Sequence, residues 1–214
     1  MYSPNSPFDA VEMGGPSLVR PIVDRQQGPT CGFEAVENVV QLFLPAGNNL
    51  SNGHLLRAAQ RYGALLQDST GYLLHTGGYQ SLLAEFGIAT TWHAFDQPAL
   101  IAALQENRVA IAVVDAHQID PRTYPAPQSG HAVVITNFVV DPRGRVVVGY
   151  VGVDSNHPGE ERWWGARSLQ LGAGFPQHLP LLITDSAVRW PMTADYYQRT
   201  VSGEVRPVKR VPRR

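Results

Sequence analysis

Hydrophobic positions in the first half of the chain recur at the spacing of helices. Residues 31–44 have apolar side chains three or four positions apart, which predicts one helix. These apolar positions are Phe33, Val36, Val39, Val40, Phe43 and Leu44. A Gly-Pro turn precedes this stretch and ends at Thr30, a residue type that favours the N-cap position, and Pro45 stops the helix. The pattern therefore places Cys31 in the first turn of a helix that follows a loop.

The remaining pattern predicts more helices and then buried strands. The predicted helices cover residues 51–67, 78–86, 96–107 and 193–200. The predicted strands cover residues 17–23, 88–93, 109–115, 131–140, 145–153 and 179–183. Helices come first and mostly antiparallel strands follow, an order typical of the α+β class. We predict one domain over residues 18–190, an irregular N-terminal arm over residues 1–17, and a C-terminal helix and basic tail over residues 191–214.

Composition and charge exclude several classes of protein. The 214 residues include 17 Lys and Arg against 18 Asp and Glu, so the chain as a whole offers no broad basic surface for nucleic acid. Only the tail beyond Arg206 is basic, and we interpret it as a solvated end with at most a weak role in binding nucleic acid. The hydrophobic fraction of 43% excludes disorder of the whole chain.

The apolar runs and the cysteine count set further limits. No run reaches the roughly 18 residues that a membrane span needs, and we find no Sec signal. We therefore expect a protein that is cytoplasmic, or exported without a Sec signal. The single cysteine, Cys31, excludes an intramolecular disulfide and a cysteine-rich zinc site, and no other motif implies a metal or a cofactor.

The predicted position of Cys31 suits a nucleophile. Free N–H groups at a helix N-terminus favour an anion, which lowers the pKa of a thiol. The alternative is a small buried hydrophobe, the role of most free cysteines. A catalytic cysteine needs a histidine, and His131 opens a buried strand directly after Ser129 and Gly130.

Two further kinds of residue complete a candidate site. Asp154 ends the strand that returns alongside His131, so its carboxylate is the first candidate to orient the imidazole, and Asn156 is the second. An oxyanion needs hydrogen-bond donors, for which the N–H of Cys31 and the side-chain amide of Gln26 or Gln27 are candidates.

This ordered set resembles the papain-like cysteine peptidase superfamily, and within it the bacterial group related to peptidases that process double-glycine leader peptides. The matching segments are Gln26-Gln27-Gly28-Pro29-Thr30-Cys31-Gly32, Ser129-Gly130-His131-Ala132-Val133-Val134-Ile135 and Val151-Gly152-Val153-Asp154. The resemblance covers roughly residues 18–160. It implies a papain-like fold, in which an N-terminal helical part with the nucleophile helix packs on a C-terminal antiparallel sheet. It also implies a Cys-His-Asp triad with a glutamine in the oxyanion hole.

The chain departs from the family pattern at two points. The family glutamine precedes the cysteine by six positions, where this chain has Arg25; we favour Gln26 over Gln27 as its replacement. The spacing from His131 to Asp154 is also wider than in the family. The resemblance therefore implies the fold and the nucleophile rather than the processing of leader peptides.

These observations predict a cysteine peptidase that acts on a protein or peptide through a thioester acyl-enzyme. An acyltransferase, a transglutaminase or a glutamine deamidase would use the same site, since the first half-reaction is shared. A catalytically inactive papain-like binding domain is the alternative from another class. A housekeeping enzyme, a maturation peptidase and a toxin or effector delivered by a secretion machine are all compatible with the sequence.

Overall fold

The computed structural model of the protein describes residues 11–13, 30–43, 52–68, 71–74, 76–126, 130–141, 146–157, 161–174, 180–188, 196–199 and 205–208. The strand predicted over residues 17–23 and both candidate glutamines, Gln26 and Gln27, lie outside these described residues.

The described part of the chain contains both helices and strands. The helices are α1 (Cys31–Phe43), α2 (Asn52–Arg61), α3 (Thr76–Glu85), α4 (Gln97–Gln105), α5 (Ala116–Ile119) and α6 (Ala166–Ala173). The strands are β1 (Val11–Met13), β2 (Leu65–Asp68), β3 (Gly71–Leu74), β4 (Thr90–His93), β5 (Ala110–Asp115), β6 (Gly130–Val140), β7 (Val147–Val153), β8 (Glu161–Gly165), β9 (Leu181–Thr184), β10 (Tyr196–Arg199) and β11 (Val205–Val208). None of the helices in the described part is long and apolar enough to cross a membrane.

Nine of the described strands form one sheet, in which β6 is the longest and central strand. β7 pairs with one edge of β6, and β5 and β1 pair with successive parts of the other edge. β2 and β3 pair only with each other. Every pair among the described strands is antiparallel, so the predicted α+β class with an antiparallel sheet is confirmed.

Helices cover both faces of the sheet, because side chains alternate between the faces along each strand. On one face, α1, α2 and α3 pack against alternate residues of the central strands, among them Ile111 and Val134. On the other face, α4 and α6 pack against the intervening residues, among them Ala112 and Val133. The helix that begins at Cys31 packs directly against β6, and the start of β6 is where His131 lies.

The helix predicted over residues 51–67 is too long. α2 ends at Arg61, and Gly63 has a φ of 60°, in the left-handed region that favours glycine and ends helices. The chain then enters β2, which pairs with β3. Leu65 and Leu66 therefore belong to a hairpin, and apolar spacing over so short a stretch does not distinguish a strand from another helical turn.

The ends of the chain also differ from the predictions. The helix predicted over residues 193–200 is wrong, since residues 196–199 form β10, which pairs with β1 and β11. The arm predicted to be irregular contains β1, which pairs with β6. The sequence analysis also missed β8 and α6. Pairing with other strands decides β1, β8 and β10, and local sequence spacing does not encode it.

Candidate functional site

Cys31 is the first residue of α1 and its side chain is half-buried. The helix begins where the N–H of Glu34 donates to the carbonyl of Thr30 at 3.0 Å. This carbonyl begins the helix, while the Thr30 hydroxyl makes no hydrogen bond with the described residues. The N–H groups of Gly32 and Ala132 donate to the cysteine sulfur. The thiol therefore lies among backbone donors that favour its anion.

The residue after the cysteine is a glycine, which leaves room for Tyr79. A Cβ placed on Gly32 would stand 2.6 Å from the hydroxyl oxygen of Tyr79. Tyr79 belongs to α3 and packs edge-on against Trp92, with ring centroids 5.8 Å apart. Burial raises the pKa of Tyr79 above its ordinary value, and the charge of Cys31 raises it further. A neutral phenol therefore lies at the first turn of the nucleophile helix.

The β6–β7 hairpin brings a histidine and a carboxylate together. His131 is the second residue of β6 and is 3% exposed, and Asp154 directly follows β7 and is 1% exposed. Nε2 of His131 lies 2.8 Å from Oδ1 of Asp154. The N–H of Asn156 donates to the same Oδ1 at 2.9 Å and fixes the carboxylate.

The two ring nitrogens of His131 have different partners. Since Nε2 contacts Asp154, Nδ1 is the nitrogen left for the hydrogen bond with Cys31. Burial alone would lower the pKa of His131, but its bonds to Asp154 and Cys31 and their charges outweigh burial and raise it to about 10. The chain of contacts thus runs from the thiol through the imidazole to the carboxylate.

The pKa values of the two outer groups shift toward their anions. Burial raises the pKa of Cys31, but the hydrogen bond and charge of His131 and the backbone donors bring it below its ordinary value. Burial likewise raises the pKa of Asp154, and the bond to His131 together with its charge lowers it below its usual range. These shifts favour one charge state, with a thiolate, an imidazolium and a carboxylate in sequence.

Asn156, the second candidate orienter, has a different position. Its side-chain Nδ2 donates to the hydroxyl of Tyr124, and its backbone N–H donates to Asp154. Of the two candidate orienters, Asp154 is therefore the one that contacts the imidazole, while Asn156 supports the carboxylate through its backbone N–H.

Tyr124 is a site residue that the sequence analysis missed. Its hydroxyl oxygen lies 3.2 Å from Nε2 of His131, and the two ring centroids are 5.1 Å apart. The residue belongs to a proline-rich loop before β6, and a tyrosine in such a loop has no spacing that would mark it. Tyr79 was equally unmarked, because its position in α3 looks like an ordinary core position.

The structure describes only one of the three candidate oxyanion donors. Gln26 and Gln27 lie outside the described residues, so their role stays a prediction. The N–H of Cys31 belongs to the first turn of α1, where N–H groups have no partner within the helix. It therefore has no acceptor within α1, as a donor for an oxyanion requires.

The described part of the chain contains no group of three or more His, Cys, Asp or Glu side chains that could hold a metal ion. The clustered groups instead suit nucleophilic chemistry. A thiolate can attack a carbonyl, an imidazolium can deliver a proton to the leaving group, and a carboxylate can hold the ring in place.

Comparison with known proteins adds no relative to this picture. No protein-family model matches the chain, and a search of the curated proteins finds no match either. A function is therefore inferred from the geometry of Cys31, His131 and Asp154.

Proposed function

We propose that the protein is a papain-like cysteine hydrolase that acts as a peptidase. The observation that supports this most is the chain of contacts from Cys31 through His131 to Asp154, closed by the 2.8 Å bond between two nearly inaccessible side chains. A buried histidine bonded to a carboxylate on one side and a half-buried thiol on the other is typical of nucleophilic catalysis. The position of the cysteine at the start of a helix packed on an antiparallel sheet supports the papain-like fold.

The reaction follows from the charge state of the site. The thiolate of Cys31 attacks a peptide carbonyl carbon, and a carbon–sulfur bond forms as the carbonyl oxygen becomes an oxyanion. When the oxyanion collapses, the carbon–nitrogen bond breaks and Nδ1 of His131 gives its proton to the departing amine. The product is a thioester on Cys31 and a new amino terminus on the released peptide.

Hydrolysis of the thioester restores the site. The neutral imidazole of His131 takes a proton from water, whose oxygen attacks the thioester carbon. The carbon–sulfur bond then breaks, the acid leaves, and the thiolate and imidazolium return. Asp154 keeps the ring oriented throughout, because its carboxylate holds Nε2–H.

The oxyanion needs donors at both steps. The N–H of Cys31 is one, and we propose the side-chain amide of Gln26 as the other, with Gln27 as its alternate. Losing one such donor costs about 3–4 kcal/mol of transition-state stabilisation in enzymes where it has been removed.

The decisive experiment compares wild type with Cys31→Ala on a mixture of cell-extract proteins, with a fluorescent primary amine added. We expect new peptide N-termini to appear with wild type and not with Cys31→Ala. Mass spectrometry detects these termini after their α-amino groups have been chemically labelled. His54→Ala is the control, since this exposed histidine lies on α2. Cys31-dependent attachment of the amine without new termini would replace the peptidase with an acyltransferase. Conversion of glutamine to glutamate would replace it with a deamidase, and the absence of all three would leave a binding domain.

A further inference from the structure

Tyr124, in the loop between α5 and β6, contacts the imidazole of His131 with its aromatic ring and its hydroxyl. The planes of Tyr124 and His131 are inclined at 40°, with centroids 5.1 Å apart. The Tyr124 hydroxyl oxygen lies 3.2 Å from Nε2, the same nitrogen that contacts Asp154 at 2.8 Å. Tyr124 is half-buried, while His131 and Asp154 are nearly inaccessible.

Separate hydrogen bonds hold Tyr124 at both of its ends. At the side chain, Nδ2 of Asn156 donates to the hydroxyl oxygen. At the backbone, the Tyr124 carbonyl lies 2.8 Å from Nδ1 of His117, and the Tyr124 N–H donates to the carbonyl of Asp120 at 3.0 Å. The ring is therefore fixed by the loop itself and by the residue two positions after Asp154.

The loop is also tied to the sheet through Asp120. Its carboxylate accepts a hydrogen bond from Arg162 of β8 at 3.1 Å and from the hydroxyl of Thr123 at 2.9 Å. Burial raises the pKa of Asp120, but the bonds from Thr123 and the charges of Arg162 and His157 lower it below its usual range. The carboxylate stays charged near neutral pH, and this keeps the loop attached to the strand that pairs with β7.

We infer that Tyr124 is a positioning residue that holds the imidazolium of His131 against Asp154. The inference rests on the proposed function, because it concerns the same histidine. A phenolic oxygen has two lone pairs. Asn156 donates to one, which leaves the other to accept a share of the Nε2–H that Asp154 also accepts.

Among the described residues, three groups face His131: Cys31 from α1, Asp154 after β7, and Tyr124 from the loop. His131 is 3% exposed and has protein partners on both ring nitrogens. A hydrogen bond in such a buried place is stronger than in water, so removing the Tyr124 hydroxyl weakens the imidazolium and with it the thiolate.

The test measures how fast iodoacetamide alkylates Cys31 as a function of pH, followed by intact mass. Tyr124→Phe keeps the ring and removes the hydroxyl, and Asn156→Ala removes the amide that orients it. We expect each to slow alkylation at pH 6 by about two- to tenfold, the range for one hydrogen bond, with the thiol curve shifted to higher pH. The double variant should be hardly slower than either single variant, since both remove one interaction.

Tyr62→Phe is the matched control, because this tyrosine is 52% exposed and lies just after α2. Variant curves that coincide with a wild-type curve of lowered pKa would overturn the role of Tyr124 and leave the proposed function standing. If the double variant slows alkylation by the product of the two single effects, the role of Tyr124 is also overturned. If wild type itself follows an ordinary thiol curve, the proposed function fails, and the inference falls with it.

Discussion

Nε2 of His131 lies 2.8 Å from Oδ1 of Asp154, although the two residues are 23 positions apart in the chain. The register of the β6–β7 hairpin explains the contact. Val134 pairs with Val153, so Asp154 falls opposite Val133, and His131 lies two residues further along the same face. Residues in this diagonal relation on neighbouring strands are within reach of long side chains. The bond is thus a consequence of strand pairing.

The first prediction concerns the dependence of the thiolate on His131. His131→Ala removes the hydrogen bond and the positive charge that lower the pKa of Cys31, while burial, which raises it, remains. We expect alkylation by iodoacetamide at pH 6 to slow by at least about tenfold, since one pKa unit is a factor of ten in thiolate. The measurement is the rate against pH, which a single cysteine reports without assignment.

The control is His54→Ala, which should leave the alkylation curve in place. Equal curves for wild type and His131→Ala would mean that the two side chains do not form an ion pair. The cysteine would then be a structural residue.

The second prediction separates the charge of Asp154 from its shape. Asp154→Asn keeps an oxygen that can accept Nε2–H, but removes the negative charge that helps to raise the pKa of His131 to about 10. Hydrogen bonds to charged groups are worth about 1.5–3 kcal/mol, so we expect the thiol curve to move up by about one to two pH units.

Asp185→Asn serves as the matched variant, because this carboxylate is exposed and bonds Thr91. The order of the alkylation curves should be wild type, Asp154→Asn, then His131→Ala. A curve for Asp154→Asn that coincides with wild type would remove Asp154 from the site and return Asn156 as the candidate.

The third prediction uses the contact between Gly32 and Tyr79. Alanine normally stabilises a helix over glycine by about 1 kcal/mol. Here the new Cβ would stand 2.6 Å from the Tyr79 hydroxyl, so Gly32→Ala should lower the free energy of unfolding and disturb the first turn at Cys31. Adding Tyr79→Phe removes that oxygen, leaves the nearest ring carbon at 3.1 Å, and should recover part of the loss.

Urea unfolding of the two single variants and the double variant measures this. Gly165→Ala is the control, since its Cβ would meet ordinary contacts beginning at 3.5 Å. A Gly32→Ala protein as stable as wild type would show that α3 can move away from α1 at no cost.

The sequence alone located those site residues whose chemistry is accompanied by a local pattern of helix or strand. Cys31 could be placed because a turn, an N-cap residue and a helical spacing follow one another within a few residues. The positions of His131 and Asp154 could be predicted because His131 begins one strand and Asp154 follows the next, and both strands have a plain apolar pattern. Tyr124 and Tyr79 could not, since their proximity to the site depends on how a loop and a helix pack. Packing of that kind leaves no periodic signal in the chain.

The fourth prediction is a plateau in the stability of the wild-type protein against pH. The folded pKa of His131 is raised, so its contribution is fully present below its ordinary pKa of 6.5 and is lost as the pH rises through about 10. The folded pKa of Cys31 is lowered, so its contribution is fully present above its ordinary 9.0 and is lost as the pH falls through the lowered value.

Above both 6.5 and the lowered pKa of Cys31, and up to pH 9.0, these two dependences oppose each other. The folded protein binds one proton on His131, and the unfolded chain binds one proton on Cys31. The numbers of bound protons are equal, so this pair gives no slope. Above pH 9.0 the unfolded cysteine loses its proton while folded His131 keeps its own until about 10, and stability should fall.

Cys31→Ser should remove the plateau. Serine does not ionise in this range, so the unfolded variant has no cysteine proton to balance the proton that folded His131 holds. We expect Asp154 to keep the pKa of His131 raised, so the folded variant binds more protons than the unfolded chain and its stability should fall as the pH rises, by up to about 1.4 kcal/mol per pH unit. Urea unfolding at pH 7, 8 and 9 compares the two slopes. A flat curve for Cys31→Ser would contradict this and show that Asp154 alone does not keep the proton on His131.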